Sequence, residues 1–267
     1  MDLGLAGKRA IVTGGSRGIG KAIAYALAGE GCDVVIAARD RGRLETTAAE
    51  LRDSTGRRIE PVLVDTGDDE SVRAIVATAR DALGGIDILV NNAARPGSGP
   101  GAPLTLADIT DEAFYDDVNI KVMGYLRCAR EVAPLMIASG WGRVINISGL
   151  AARNAGSIIG SIRNVSVAAL TKVLADELGP AGINVTVVHP GATRTEATDG
   201  AMTARAASLG ISLDELEAQW VQRTSVRRII TADEVAWVVA FLASPRSISI
   251  TGDAVVCGGG MPGAIYY

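Results

Sequence analysis

The residues best suited to chemistry lie just after the first β-branched run of the chain. Thr13-Gly14-Gly15-Ser16-Arg17-Gly18-Ile19-Gly20 follows the run RAIVTG (9–14), and an Ala-rich stretch of helical period begins near Lys21. Glycines at 14, 18 and 20 permit a tight turn, close approach of backbone to a diphosphate, and close packing of helix on strand. The helix N-terminus then offers unpaired N–H donors to the anion. An ordinary β-to-α turn also uses glycine, but the strand–turn–helix setting favours binding. Gly14, Ser16, Arg17, Gly18, Ile19 and Gly20 are therefore expected to hold the diphosphate of a dinucleotide.

The second β-branched run ends in Ala37-Ala38-Arg39-Asp40. A carboxylate at such a strand end usually receives the adenosine ribose hydroxyl of NAD. Here Arg39 stands first, and a guanidinium suits a 2′-phosphate or the face of adenine, with Arg17 approaching from the loop. NADP(H) is thus the preferred nucleotide. Asp40 leaves NAD(H) possible.

These loops need a scaffold, and the sequence supplies one. Seven short runs, at 9–14, 33–38, 60–65, 87–92, 143–148, 184–189 and 253–258, alternate with longer helical stretches. That is the pattern of βαβ units. Most runs are apolar at consecutive positions, as strands covered on both faces require. The expected fold is α/β: a single Rossmann-type doubly wound parallel seven-stranded sheet with helices on both faces. No linker divides residues 1–267, so one domain is expected. Two irregular excursions, RPGSGPGAP (95–103) and about 191–228, follow strand ends, where open α/β sheets bind ligands.

Taken together, TGGSRGIG (13–20), Asp65 after the third strand, NNAA (91–94), Asn119 in VNIKVMG and HPGATRT (189–195) make the chain resemble the short-chain dehydrogenases/reductases, from about Leu5 to Gly260. The resemblance implies that Asp65 and Thr66 flank adenine and that Asn92 and Ala93 line the adenosine-ribose side. It also implies that Pro190, Gly191, Thr193 and Thr195 surround the nicotinamide. In that family a Tyr and a Lys four residues apart on one helix handle the proton, with a Ser at the preceding strand end and an Asn completing the set. One helix face carries both at that spacing, so the ammonium lowers the phenol pKa.

This chain departs from that arrangement. Aligning on TKVLADEL places Gly160 in the Tyr slot and Asn164 in the Lys slot, and no tyrosine lies between Tyr125 and Tyr266. Lys172 sits about 12 Å further along the helix. The Ser slot falls on Ser148 or Gly149. Asn119 remains, and the candidates to orient substrate and water are Asn119, Ser148, Ser161 and His189. For His189 a satisfied strand-end imidazole is the simpler reading, and for Ser157, Ser161 and Arg163 helix capping and packing are.

Beyond His189, SLDELEAQWVQRT reads as a helix with a Ser212/Glu215 capping box, resembling the family's substrate lid over about 191–228. Met202, Leu209, Leu213, Leu216 and Trp220 give this region an apolar underside, while Arg194 and Arg205 are open to an anionic substrate. Net charge is −4, with no basic cluster, so neither nucleic acid nor an anionic membrane is an expected partner. Apolar runs are broken before membrane-spanning length, and the three cysteines lack metal or disulfide spacing. A cytoplasmic, metal-free protein is expected, a homotetramer or homodimer by analogy. Three functions fit the sequence: an NADP(H)-dependent oxidoreductase on a small carbonyl or alcohol with a non-standard site, a cofactor-binding sensor or partner subunit with little turnover, or a lyase or isomerase using bound cofactor without net turnover.

Overall fold

Neighbouring residues of the central strands face two different cores, which is why their sequences do not alternate. Val12, Val34, Ile36 and Val90 join Ile23, Leu27, Val235 and Val239 on one side, while Ile11, Val35, Ala37 and Leu89 join Val72, Ile75, Val132 and Met136 on the other. Each such aliphatic side chain contributes about 1.5–3 kcal/mol relative to exposure. The computed structural model describes residues 2–95, 105–263 and 265. Most of the 95–103 excursion lies outside the described residues.

The elements run β1 (Arg9–Thr13), α1 (Gly18–Gly29), β2 (Asp33–Ala38), α2 (Arg41–Thr55), β3 (Ile59–Leu63), α3 (Asp69–Leu83) and β4 (Ile88–Asn91). Next come α4 (Asp111–Val118), a π-helical turn (Asn119–Met123), α5 (Gly124–Ser139), β5 (Gly142–Ile147), α6 (Ile158–Leu178) and β6 (Ile183–Pro190). The chain finishes with β7 (Thr193–Arg194), α7 (Glu196–Leu209), α8 (Leu213–Val221), β8 (Ile230–Thr231), α9 (Ala232–Ala243) and β9 (Ala254–Cys257). Seven strands form one parallel sheet in the order β3-β2-β1-β4-β5-β6-β9. Winding reverses between β1 and β4, which opens a crevice at their C-terminal ends. All seven sequence runs are strands of this sheet. The two-residue ribbon β7–β8 was not foreseen, being too short to show a period.

Helix α1 begins at Gly18, earlier than the periodicity near Lys21 suggested, so the last glycines of the loop form its first turn. The capping box at α8 is present: Ser212 Oγ accepts from Glu215 N at 3.2 Å, and Glu215 Oε2 accepts from Ser212 N at 2.8 Å. Met202, Ala206, Leu216 and Ile229 form a small separate core beneath α7 and α8. Leu209 and Leu213, expected on that underside, are instead exposed at the hinge between the two helices.

The stretch Ile158–Ala181 is long and apolar enough to cross a membrane, with mean hydropathy 1.4, contrary to the sequence expectation. Here it is a sheet-facing helix whose inner side carries buried Arg163, Asn164 and Thr171. Its outer side shows Ile158, Ile162, Val165 and Val173 to solvent at helical spacing.

Candidate functional site

The crevice is held together by side chains at the ends of β1 and β4. Thr13 Oγ1 accepts from the backbone N–H groups of Asn92 (3.0 Å) and Ala93 (3.1 Å), while Asn92 Nδ2 donates to Thr13 O (3.1 Å) and Gly14 O (3.2 Å). Gly14 has φ of +67°, and a Cβ there would lie 2.8 Å from Asn92 Nδ2. A Cβ on Gly20 would lie 2.2 Å from Gly14 O. Glycine is thus required at both positions by close approach. Thr13 was missed in the sequence because a threonine at a strand end is unremarkable until its partner across the sheet is known.

Above this lock opens a cavity of about 470 Å³. Its walls include Gly14, Ser16, Arg17, Gly18, Ile19 and Gly20 from the glycine loop, Arg39 after β2, Asp65 and Thr66 after β3, Asn92 and Ala93 after β4, and Thr195 before α7. The volume, the N-terminus of α1 and the glycine cradle fit a dinucleotide. Pro190, Gly191 and Thr193 are not part of this wall. Pro190 ends β6 and Gly191 follows it, donating its N–H to Cys257 O at 3.2 Å. Glu196 is also in the wall and accepts from Gly18 N at 3.2 Å. It ties α7 to the glycine loop.

At the β2 end three arginines, Arg17, Arg39 and Arg43, share the cavity wall. Arg43 was not foreseen, because only the helical turn of α2 brings it back toward Arg39. The neighbouring carboxylate is engaged: Asp40 caps α2, its Oδ1 accepting from Arg43 N at 3.0 Å. Asp65 Oδ1 likewise accepts from Gly67 N at 2.9 Å.

Of the four catalytic candidates, Ser148 and His189 come from adjacent strand ends, Ser148 N donating to Val188 O at 2.8 Å. Asn119 lies at the start of the π turn, where Nδ2 donates to Gly67 O (3.1 Å) and Oδ1 accepts from Arg127 Nη2 (2.8 Å). Its amide is thereby committed to the β3–α3 loop. Ser161 Oγ donates to Asn154 O (3.3 Å), within the turn preceding α6. Ser148 is buried at the end of β5, its Oγ donating to Asn164 O at 3.0 Å. His189 is fully buried, Nδ1 has no hydrogen-bond partner among the described residues, and burial with Arg153 and Lys121 nearby pushes its pKa down to about 4. It is a neutral imidazole at pH 7. Ser157 caps α6, accepting from Gly160 N at 3.0 Å, and Arg163 pairs with Asp117.

The group sequence reasoning passed over is Lys121. Its ammonium is buried, donating to Ser148 O (3.0 Å) and Asn164 Oδ1 (3.0 Å). Desolvation is the largest influence on it, followed by repulsion from Arg163, and together they hold its pKa at about 7 against a partial offset from Asp117. Lysine is ordinarily a surface residue, and nothing in NIKVMG marks this one as internal. Among the described residues no group of His, Cys, Asp and Glu has the arrangement of a metal site.

A family model described as enoyl-(acyl carrier protein) reductase matches residues 14–262. The short-chain reductase protein NovJ of Streptomyces niveus is 35% identical over 254 residues, covering 95% of this chain and 93% of that protein. L-sorbose reductase of Gluconobacter frateurii, solved with NADPH and L-sorbose, superposes with a TM-score of 0.93 at 31% identity, covering 99% of this chain and 100% of that one. An NAD+-bound xylitol dehydrogenase superposes with a TM-score of 0.87 at 27% identity, over 96% of this chain and 99% of that one. With the reversed winding between β1 and β4 and the glycine cradle in place, these matches over nearly the whole length make the chain a member of the short-chain dehydrogenase/reductase family.

Proposed function

We propose that this protein is an NADP(H)-dependent oxidoreductase that interconverts a small carbonyl compound and its alcohol in a pocket without the usual phenol. The observation that carries the nucleotide choice is the cluster of Arg17, Arg39 and Arg43 in one cavity wall, beside an Asp40 already used as a helix cap. A 2′-phosphate finds charge-assisted donors there, whereas a bare ribose hydroxyl shares Asp40 with the α2 cap and with Arg43. Fluorescence titration is expected to give at least about tenfold tighter binding of NADPH than NADH. Arg39→Ala is expected to remove most of that difference by weakening NADPH alone, since one charge-assisted pair is worth about 1.5–3 kcal/mol. Equal affinities in the unmodified protein would refute the assignment.

When bound, the nucleotide supplies the hydride. The glycine loop and the α1 N-terminus would hold its diphosphate, Asp65, Thr66, Asn92 and Ala93 its adenosine side, and Thr195, with Pro190, Gly191 and Thr193 beyond the cavity wall, its nicotinamide side. Ser148, buried at the end of β5, would hold the backbone of α6 at Asn164 through its hydroxyl, and the segment at about 191–228 would be the lid of a single domain. A second reading, cofactor binding with little turnover, is favoured by Gly160 and Asn164. NADPH oxidation against a panel of ketoses, diketones and β-keto thioesters separates the two.

The exposed row Ile158, Ile162, Val165 and Val173 supports self-association through α6, giving a homodimer or homotetramer. Light scattering after chromatography is expected to report an oligomer, and Val165→Glu with Ile162→Glu to reduce it to monomer. A monomeric parent protein would overturn this. The three cysteines are free, which suits a reducing, cytoplasmic setting.

A further inference from the structure

The ammonium of Lys121 is a buried charge at the end of β5 for which the reading above has no use. It enters from the π-helical turn, is 3% exposed, and bridges Ser148 O and Asn164 Oδ1. π turns within α-helices cluster at functional sites, and keeping an unpaired ammonium inside a protein is costly. The charged and titratable groups around it are Asp117 on α4 and Arg163 on α6, which pair with each other, and His189 on β6 with Arg153 beyond β5. Tyr125 on α5 also lies close, its hydroxyl donating to Ile147 O at 2.8 Å. None of the carboxylates is bonded to Lys121.

We propose that Lys121 is the positioning lysine of the reaction pocket: it fixes the Asn164 amide and the Ser148 strand end, and its charge acts on the nicotinamide end of the cofactor. Lysine and amide meet here with the lysine on the turn before α5 and the amide on α6. The family resemblance puts the lysine in slot 164 and an amide at Asn119; here the lysine stands two residues after that amide and reaches Asn164 from the π turn. The inference rests on the nucleotide reading above. A pKa held near neutrality lets this charge switch within the physiological range.

The charge has a consequence that does not depend on turnover. Oxidised nicotinamide is cationic and reduced nicotinamide is neutral, so protonated Lys121 disfavours NADP+ and leaves NADPH nearly untouched. Both nucleotides carry the same 2′-phosphate, whose own titration cancels in their affinity ratio. Isothermal titration from about pH 6 to about pH 8.5 is expected to tighten NADP+ about tenfold, with NADPH changing less than about twofold. Lys121→Met is expected to hold NADP+ at its tight value across that range. Lys121→Gln, neutral and still hydrogen-bonding, gives the same readout should the Met variant not fold. Persistence of the pH-dependent ratio in the neutral variants, or its absence in the parent, overturns the role of Lys121 alone. Failure of both nucleotides to bind overturns it together with the nucleotide reading.

Discussion

Asn164→Lys is expected to lower the melting temperature by about 10 °C, and adding Lys121→Asn to the same chain is expected to recover most of that loss. Lys121 Nζ lies 3.0 Å from Asn164 Oδ1 in a spot where both residues are buried. The single change removes an acceptor from one ammonium and sets a second beside it. Two like charges about 4 Å apart repel by about 4 kcal/mol at an effective dielectric of about 20, and an uncompensated buried charge costs about 3–5 kcal/mol by experiment. Chains of this size lose about 2–4 °C per kcal/mol. The sign with pH follows from linkage. The buried pair sheds a proton that the unfolded chain retains, so the deficit shrinks as pH rises from about 7 toward the unfolded lysine value. Thermal melts of the two single variants and the double variant form a cycle whose coupling is read directly. A double variant no more stable than Asn164→Lys would mean that the two side chains do not face each other. Rebuilding the usual proton machinery therefore takes three substitutions, Gly160→Tyr, Asn164→Lys and Lys121→Asn.

Gly20→Ala is expected to weaken nucleotide binding by more than about 100-fold and to destabilise the fold by about 1–3 kcal/mol. The added Cβ would lie 2.2 Å from Gly14 O and 2.5 Å from Asn92 Nδ2. A backbone carbonyl cannot rotate away as a side chain does. Helix α1 must back off the loop, taking with it the N–H groups aimed at the diphosphate. Gly29, at the other end of the same helix, has nothing within 4 Å of its added Cβ. Gly29→Ala is accordingly expected to be neutral or stabilising by up to about 1 kcal/mol. Denaturant melts and nucleotide titrations on both variants check the contrast, and similar behaviour of the two would refute the steric argument.

The sheet was legible in the sequence because each central strand is buried on both faces, and nothing but a run of β-branched and small apolar residues satisfies that. The glycine loop was legible because its constraint is local. The reaction pocket was not, and Asn119 shows why. A sequence reader places Asn119 and Lys121 on an ordinary helix and chooses the amide, the residue type the family uses. The π turn over Asn119–Met123 inserts an extra residue into the helical period. Both residues lie within that turn, Asn119 bonded to Gly67 and Lys121 buried against Asn164. Arg43 illustrates the milder form of the same limit, a residue four positions after Arg39 joined to it by the start of α2.

The bonds among Thr13, Gly14, Asn92 and Ala93 leave the two sides of the cleft mechanically unlike. On one side, β1 and β4 are clamped to each other at the strand ends, and the clamp is continuous with the main cores. That wall cannot hinge without breaking the sheet. On the other side, α7 and α8 rest on four buried residues of their own, Met202, Ala206, Leu216 and Ile229. Segments with so small a private core open at far lower free energy than the domain unfolds. The sheet side of the cleft is thus its fixed wall, and the α7–α8 side, joined to it through Glu196 and Gly18, is the wall with the smaller core.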